Sequence, residues 1–152
     1  MIKKLKNEDI ITINLFGKEE EVKVFSTGDN QFDEEGEYKP DGFDLSEEEI
    51  EYLNWFVENV NINDYKKEIA EYCNELYEII GGKKITEDNL EDEVSISAIA
   101  INISEDIQSD DETIVYPEIA FYGDCECDIE HGICIGFRDK KFVGVGPQDW
   151  VL

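Results

Sequence analysis

The apolar positions change period twice along this chain. Ile10-Ile-Thr-Ile-Asn-Leu-Phe16 and Glu20-Glu-Val-Lys-Val-Phe25 are rich in β-branched and aromatic residues. They predict two strands, joined as a hairpin through Gly17-Lys18-Glu19. Residues 28–44 lose that pattern. Rich in Gly, Asp, Glu and Asn, and holding Pro40, they predict a long acidic loop.

A helical period follows. Ser46-Glu-Glu-Glu49 matches a capping box, and Leu45 with Ile50 matches a hydrophobic staple. Ile50, Leu53, Val57 and Val60 recur on one helical face. A second helix is predicted from Asp64 to Ile80. Its apolar side is Tyr65, Ile69, Tyr72, Cys73, Leu76 and Ile80, and Gly81-Gly82 gives its stop. The break at residues 59–63 makes the pair an αα-hairpin.

The period then returns to two. Val94 to Ile103 places Val94, Ile96, Ala98 and Ala100 on one face and Ile99, Ile101 and Ile103 on the other, as in a central strand. Glu105 to Glu112 reads as an acidic turn. Thr113 to Tyr122 reads as a strand, with Pro117 marking an edge or bulge. Ile133, Ile135 and Phe137 alternate inward on the next strand, and Asp139-Lys140 turns the chain into Phe142 to Val145. The expected fold is α+β in a single domain over residues 1–152. An antiparallel sheet carries the αα-hairpin inserted between an N-terminal β-hairpin and C-terminal strands.

Composition narrows the function. The chain has 39 acids against 13 bases and a net charge of −26. Nucleic acid and anionic membranes both require positive surface, so neither is expected as a partner. A basic protein or a cation is. Met1-Ile-Lys-Lys-Leu-Lys6 is followed by Asn7, Glu8 and Asp9 rather than by an apolar stretch. No export signal is therefore expected, and the four cysteines are expected to be reduced thiols in a cytoplasm.

The acids cluster most densely in the loop and the first helical turn. Glu34, Glu35 and Glu37 lie among many others there, with Lys39 as the one base. Phe32, Tyr38 and Phe43 are interleaved with them. An acidic field speeds the capture of a basic protein, and aromatic anchors slow its release. These six residues are the candidate partner-binding set. The role they suggest is a non-enzymatic immunity or inhibitor protein that neutralises a basic toxin or nuclease.

The segment Tyr122-Gly-Asp-Cys-Glu-Cys-Asp-Ile-Glu-His-Gly-Ile-Cys134 holds three of the four cysteines and the only histidine. An extended backbone would place Asp124, Glu126, Asp128 and Glu130 on one face, and Cys125, Cys127 and Ile129 on the other. Crowding would raise the carboxylate pKa values. Cys125, Cys127, His131 and Cys134 are suitable zinc ligands by type. Their C-x-C-x3-H-x2-C spacing fits no standard pattern, and three buried small hydrophobes are the alternative. Asp124, Glu126, Asp128 and Glu130 suggest a divalent-cation reading instead, through oxygen ligands for Ca²⁺ or Mg²⁺. Alternate strand carboxylates stand about 6 to 7 Å apart, too far for one ion unless the strand bends. A Cys–His131 nucleophile would need a cation or helix N-terminus to lower the thiol pKa, and the surroundings are anionic. Neither enzyme activity nor a cofactor is expected.

The run Gly123 to Phe142, followed by Gly146-Pro-Gln-Asp149, resembles a family of small acidic bacterial proteins of unknown function. Some of its members stand in toxin–immunity gene neighbourhoods. The family pattern has Pro where this chain has Ile129, which loosens the turn into Glu130-His131-Gly132. It has Gly where this chain has Lys140, which changes the hairpin chemistry.

Overall fold

The computed structural model describes residues 1–104 and 115–151. The fold is α+β. Six strands form one mixed sheet in sequence order: β1 (Ile10–Leu15), β2 (Lys18–Ser26), β3 (Val94–Ile101), β4 (Ile119–Cys125), β5 (Ile133–Arg138) and β6 (Lys141–Gly146). Between β2 and β3 run α1 (Glu47–Asn59), α2 (Lys66–Ile80) and the short α3 (Leu90–Glu93). The acidic turn expected at Glu105 to Glu112, and the first two residues of the strand expected from Thr113, lie outside the described residues.

The sheet is not wholly antiparallel, as the sequence had suggested. β2 pairs with β3 in parallel, while every other neighbouring pair is antiparallel. The insertion of the helices explains the difference. A long helical connection lets the chain return and re-enter the sheet in the same direction, which a tight hairpin cannot do.

Turns sharpen the strand boundaries. Leu15 pairs with Lys18, so β1 and β2 are joined by Phe16-Gly17, both at positive φ, and β2 begins two residues earlier than expected. Arg138 pairs with Lys141 across Asp139 (φ 51°) and Lys140 (φ 62°). Both turns place two residues at positive φ, the conformation whose twist matches the strands of a two-residue hairpin. Lys140 holds this conformation although glycine adopts it more easily. The strand expected from Thr113 starts instead at Ile119, and Pro117 precedes it.

The α1 capping box forms in full. Ser46 Oγ accepts from Glu49 N (3.2 Å), and Ser46 N donates to Glu49 Oε1 (2.9 Å). The buried face of α1 is Glu49, Ile50, Leu53 and Phe56, while Val57 is exposed. Phe56 therefore takes the place expected of Val57, and its ring meets Phe121 and Phe137 at 4.6 and 5.4 Å. In α2, Ile69, Ala70 and Cys73 are buried, whereas Ile80 at the C-terminal end is exposed. Gly81 (φ 76°) ends this helix, and its N–H donates to Tyr77 O.

The helices and one face of the sheet enclose the main core. It includes Val24, Leu53, Phe56, Ile69, Cys73, Leu90 and Phe137. The opposite face carries small residues. Ala98, Ala100, Ala120 and Cys134 pack there with Tyr122, Val151 and Trp150. A bulge decides which β3 residue faces where. Ile96 pairs with Gly123 and Ala98 with Tyr122, so Ser97 is unmatched. The extra residue reverses the alternation. Val94 and Ile96 thus share the helix-covered face with Ile99 and Ile101, and not with Ala98 and Ala100 as regular alternation implied.

Candidate functional site

The acidic loop is ordered by its own backbone. Phe32 and Tyr38 form an antiparallel bridge. Asp33 N donates to Glu37 O (2.8 Å), and Gly36 N to Asp33 O (3.0 Å). Asp33 Oδ1 accepts from the amides of Glu35 (2.9 Å) and Glu37 (3.0 Å). Short polar side chains stabilise turns in this way. The result is a small hairpin with Glu34, Glu35 and Glu37 exposed at its tip. Phe32 and Tyr38 pack across its base with ring centroids 4.7 Å apart and planes tilted by 39°, and Tyr38 is 74% exposed.

Lys39 is drawn away from these acids. Its ammonium donates to Asn30 Oδ1 (2.9 Å) and stands 5.6 Å from the centroid of the half-buried Phe43. The structure thus joins five of the six predicted binding residues in one hairpin. Phe43 sits under Lys39, with no ring contact to the Phe32–Tyr38 pair among the described residues. The root of the loop is pinned by Glu49. This buried carboxylate accepts from Asn30 Nδ2 (2.6 Å), from Ser26 Oγ and from Ser46 N. It joins loop, strand and helix at one point.

The cysteine-rich segment divides. β4 ends at Cys125 and the chain then turns. Gly132 (φ 64°) closes the turn, its N–H donating to Asp128 O at 3.0 Å. Asp124 and Glu126 point outward, Cys125 and Cys127 point into the core, and Ile129 is 81% exposed. Ile129 therefore does not share the cysteine face, because the extended run stops before it.

The predicted zinc set does not converge. Cys125 and Cys127 pack under the helices, while Cys134, one strand away, lies in the small-residue cluster on the other face of the sheet. His131 is exposed, and its Nδ1 is 2.9 Å from Asp128 Oδ1. That carboxylate holds the imidazole pKa above its ordinary value. The predicted oxygen-ligand set is equally dispersed. Asp128 engages His131, and Glu126 meets the Lys83 ammonium at 2.8 Å. Lys83 holds the Glu126 carboxyl below the usual range, the reverse of the rise expected from crowding.

A different cluster forms that the sequence did not announce. Cys73 on α2, Glu93 at the end of α3, and Cys127 place a sulfur, a carboxylate oxygen and a sulfur within 4.8 Å of one another, all buried. Cys125 Sγ lies 3.4 Å from Cys127 Sγ. Tyr77 donates its hydroxyl to Glu93 Oε1 (2.6 Å), and the Lys83 ammonium is 3.2 Å from Oε2. Burial pushes the Cys73 thiol up to about 11 and those of Cys125 and Cys127 up to about 12. Cys73 carried a partial signal, its place on the apolar side of α2. Glu93 carried none, because nothing local marks a carboxylate that will be buried.

A family model described as Domain of unknown function (DUF6985) matches residues 2–152. The chain belongs to this family. No curated protein and no solved structure matches it. The match of this DUF6985 chain covers both the acidic hairpin and the thiol cluster. A cleft of about 360 Å³ opens between β1 and the C-terminal end of α1, where Glu58 is the one ionisable lining residue. Among the described residues, no helix is long and apolar enough to cross a membrane.

Proposed function

We propose that the chain is an acidic, non-enzymatic binding protein of the immunity or inhibitor type, acting in a reducing bacterial cytoplasm on a basic toxin or nuclease. The observation that carries this reading is the hairpin over residues 32–38. It presents the exposed Tyr38 ring, packed on the half-buried Phe32, beneath a tip of carboxylates that have no ion-pair partner among the described residues. Carboxylates at a protruding tip attract a basic surface before contact, and a tyrosine held against Phe32 gives that surface an apolar anchor of low entropy cost. Phe32 holds Tyr38 in place, so little ordering remains to be done on binding.

The non-enzymatic part of the reading rests on the chemistry of the thiols and the histidine. A nucleophilic cysteine requires a lowered pKa and a nearby base. Here burial raises every thiol, and the imidazole is engaged by Asp128 at the surface.

The test uses basic toxin or nuclease domains encoded beside the gene, each purified and titrated against the full chain. Saturable binding that weakens with salt, and weakens again when Glu34, Glu35 and Glu37 become Gln, is the expected result. Equal capture by parent and variant, with equal salt sensitivity, would overturn the assignment of the hairpin.

A further inference from the structure

We propose that Cys73, Cys125, Cys127 and Glu93 form a closed structural zinc site. This goes beyond the binding reading and does not depend on it. The four residues come from α2, the end of β4, the turn after it and the end of α3; the ligand atoms of Cys73, Glu93 and Cys127 lie within 4.8 Å of one another, and Cys125 Sγ adjoins Cys127 Sγ at 3.4 Å.

Three donors are already gathered, and zinc would draw the fourth, Cys125, in from its place beside Cys127. Tetrahedral zinc with Zn–S bonds near 2.3 Å sets its sulfurs about 3.8 Å apart. The Cys125–Cys127 sulfurs are 3.4 Å apart, and the Cys73, Glu93 and Cys127 ligand atoms fall within 4.8 Å. Four donors complete a tetrahedron and leave no open position, which is the pattern of a structural rather than a catalytic site. Three thiolates favour zinc over calcium or magnesium, which require oxygen.

Glu93 supplies the second, independent observation. Its side chain is fully buried, and among the described residues Oε2 accepts no hydrogen bond of good geometry, with only the Lys83 ammonium close by at 3.2 Å. A carboxylate removed from water and beside the buried thiols of Cys73 and Cys127 is a liability to the fold. As a zinc ligand it becomes an asset. Tyr77 binds Oε1 and so orients the group, leaving Oε2 for the metal, as outer hydrogen bonds commonly do at metal sites.

The charges and protons balance. The three thiols release three protons to solvent as three S–Zn bonds form, and the carboxylate adds the fourth bond without a proton. Three thiolates and one carboxylate around Zn²⁺ leave a net charge of −2, and Lys83 offsets half of it. Nothing is oxidised or reduced. The metal would tie α2 and α3 to the β4–β5 turn, adding to the Tyr77–Glu93 hydrogen bond and the Glu126 N–H donated to Glu93 O that already join them.

The experiment begins with the full chain purified under reducing conditions without chelator. Native mass spectrometry should find one zinc per chain, and removal by a strong chelator should lower the melting temperature by about 5 °C or more. Cobalt(II) added to the stripped chain should give an intense thiolate-to-metal charge-transfer band and tetrahedral visible bands. Cys73→Ser and Glu93→Gln should each weaken zinc binding at least tenfold. Cys134→Ser and His131→Asn should leave it unchanged. If Cys73→Ser does not fold, the Glu93→Gln variant and the cobalt spectrum of the parent decide. Absence of both metal and cobalt band overturns the site, as does a disulfide among Cys73, Cys125 and Cys127 in the freshly purified chain. Loss of zinc on changing His131 or Cys134 overturns this ligand set.

Discussion

Two groups of carboxylates in this molecule live under opposite conditions. At the hairpin tip, Glu34, Glu35 and Glu37 stand in water, and Lys39 turns away from them. In the interior, Glu49 and Glu93 are almost wholly buried, each surrounded by donors or by a cation. The tip acids act at a distance, through a field that salt weakens. The buried acids act within 3 Å or so, through contacts that salt scarcely reaches. A net charge of −26 thus describes the reach of the surface and says little about what holds the fold together.

This contrast is open to test. The largest effect is expected at Glu49. Glu49→Ala removes the acceptor for Asn30, Ser26 and the Ser46 amide and leaves buried donors unsatisfied. The loss should be on the order of 3 kcal/mol, read as a lower urea midpoint at unchanged slope. By comparison, converting Glu34, Glu35 and Glu37 together to Gln should shift stability by no more than about 0.5 kcal/mol. A triple variant as unstable as Glu49→Ala would erase the distinction between the two groups.

Next in size is Tyr38. Tyr38→Ala should speed dissociation from the basic partner about tenfold, or roughly 1.4 kcal/mol, with association nearly unchanged. The triple Gln variant should do the converse. It should slow association by a factor of about five at low salt and flatten its salt dependence, leaving dissociation nearly as it was. Surface plasmon resonance at several salt concentrations separates the two rates. If both variants act on the same rate, the division between steering and anchoring fails.

The smallest effect concerns His131. Asp128 raises its folded pKa above the ordinary 6.5. A raised basic pKa means that the pair stabilises the turn fully below the unfolded value. The benefit is lost as pH rises through the higher folded value. The melting-temperature gap between the parent and His131→Asn should therefore be visible near about pH 5.5 and vanish near about pH 8. A gap that grows with pH would mean that the imidazole is held in its neutral form.

Much of the fold follows from local patterns that need no knowledge of distant residues. Ser46 and Glu49 announce their helix because a capping box is built from neighbours along the chain. Gly81 ends α2 for a similarly local reason. Strand direction is different. The order strand, helices, strand already permits a parallel β2–β3 pair, but the choice depends on how the helices lie on the sheet. The Ser97 bulge left a trace in residue size. Large apolar residues occupy Val94 and Ile96, then Ile99 and Ile101, a change of parity that regular alternation does not allow. Of the candidate sites, the hairpin was legible because its residues are contiguous. The thiol cluster was half legible. Cys125 and Cys127 are two apart and share a face, but Cys134 follows after a turn and points the other way. Cys73 and Glu93 reach them only through tertiary packing, which spacing along the chain does not encode.

The parallel β2–β3 pairing has a consequence in time. The β1–β2 turn and the β5–β6 turn each close over two residues, so those pairings form quickly. β2 and β3 meet only after both long helices have been threaded between them, and closing so long a loop comes before any contact rewards it. The β1–β2 hairpin should therefore dock late. It should also be the first part of the sheet to detach when the native state opens. Amides on β3 that bond to β2 would then exchange with solvent sooner than those that bond to β4, although both lie in the same strand.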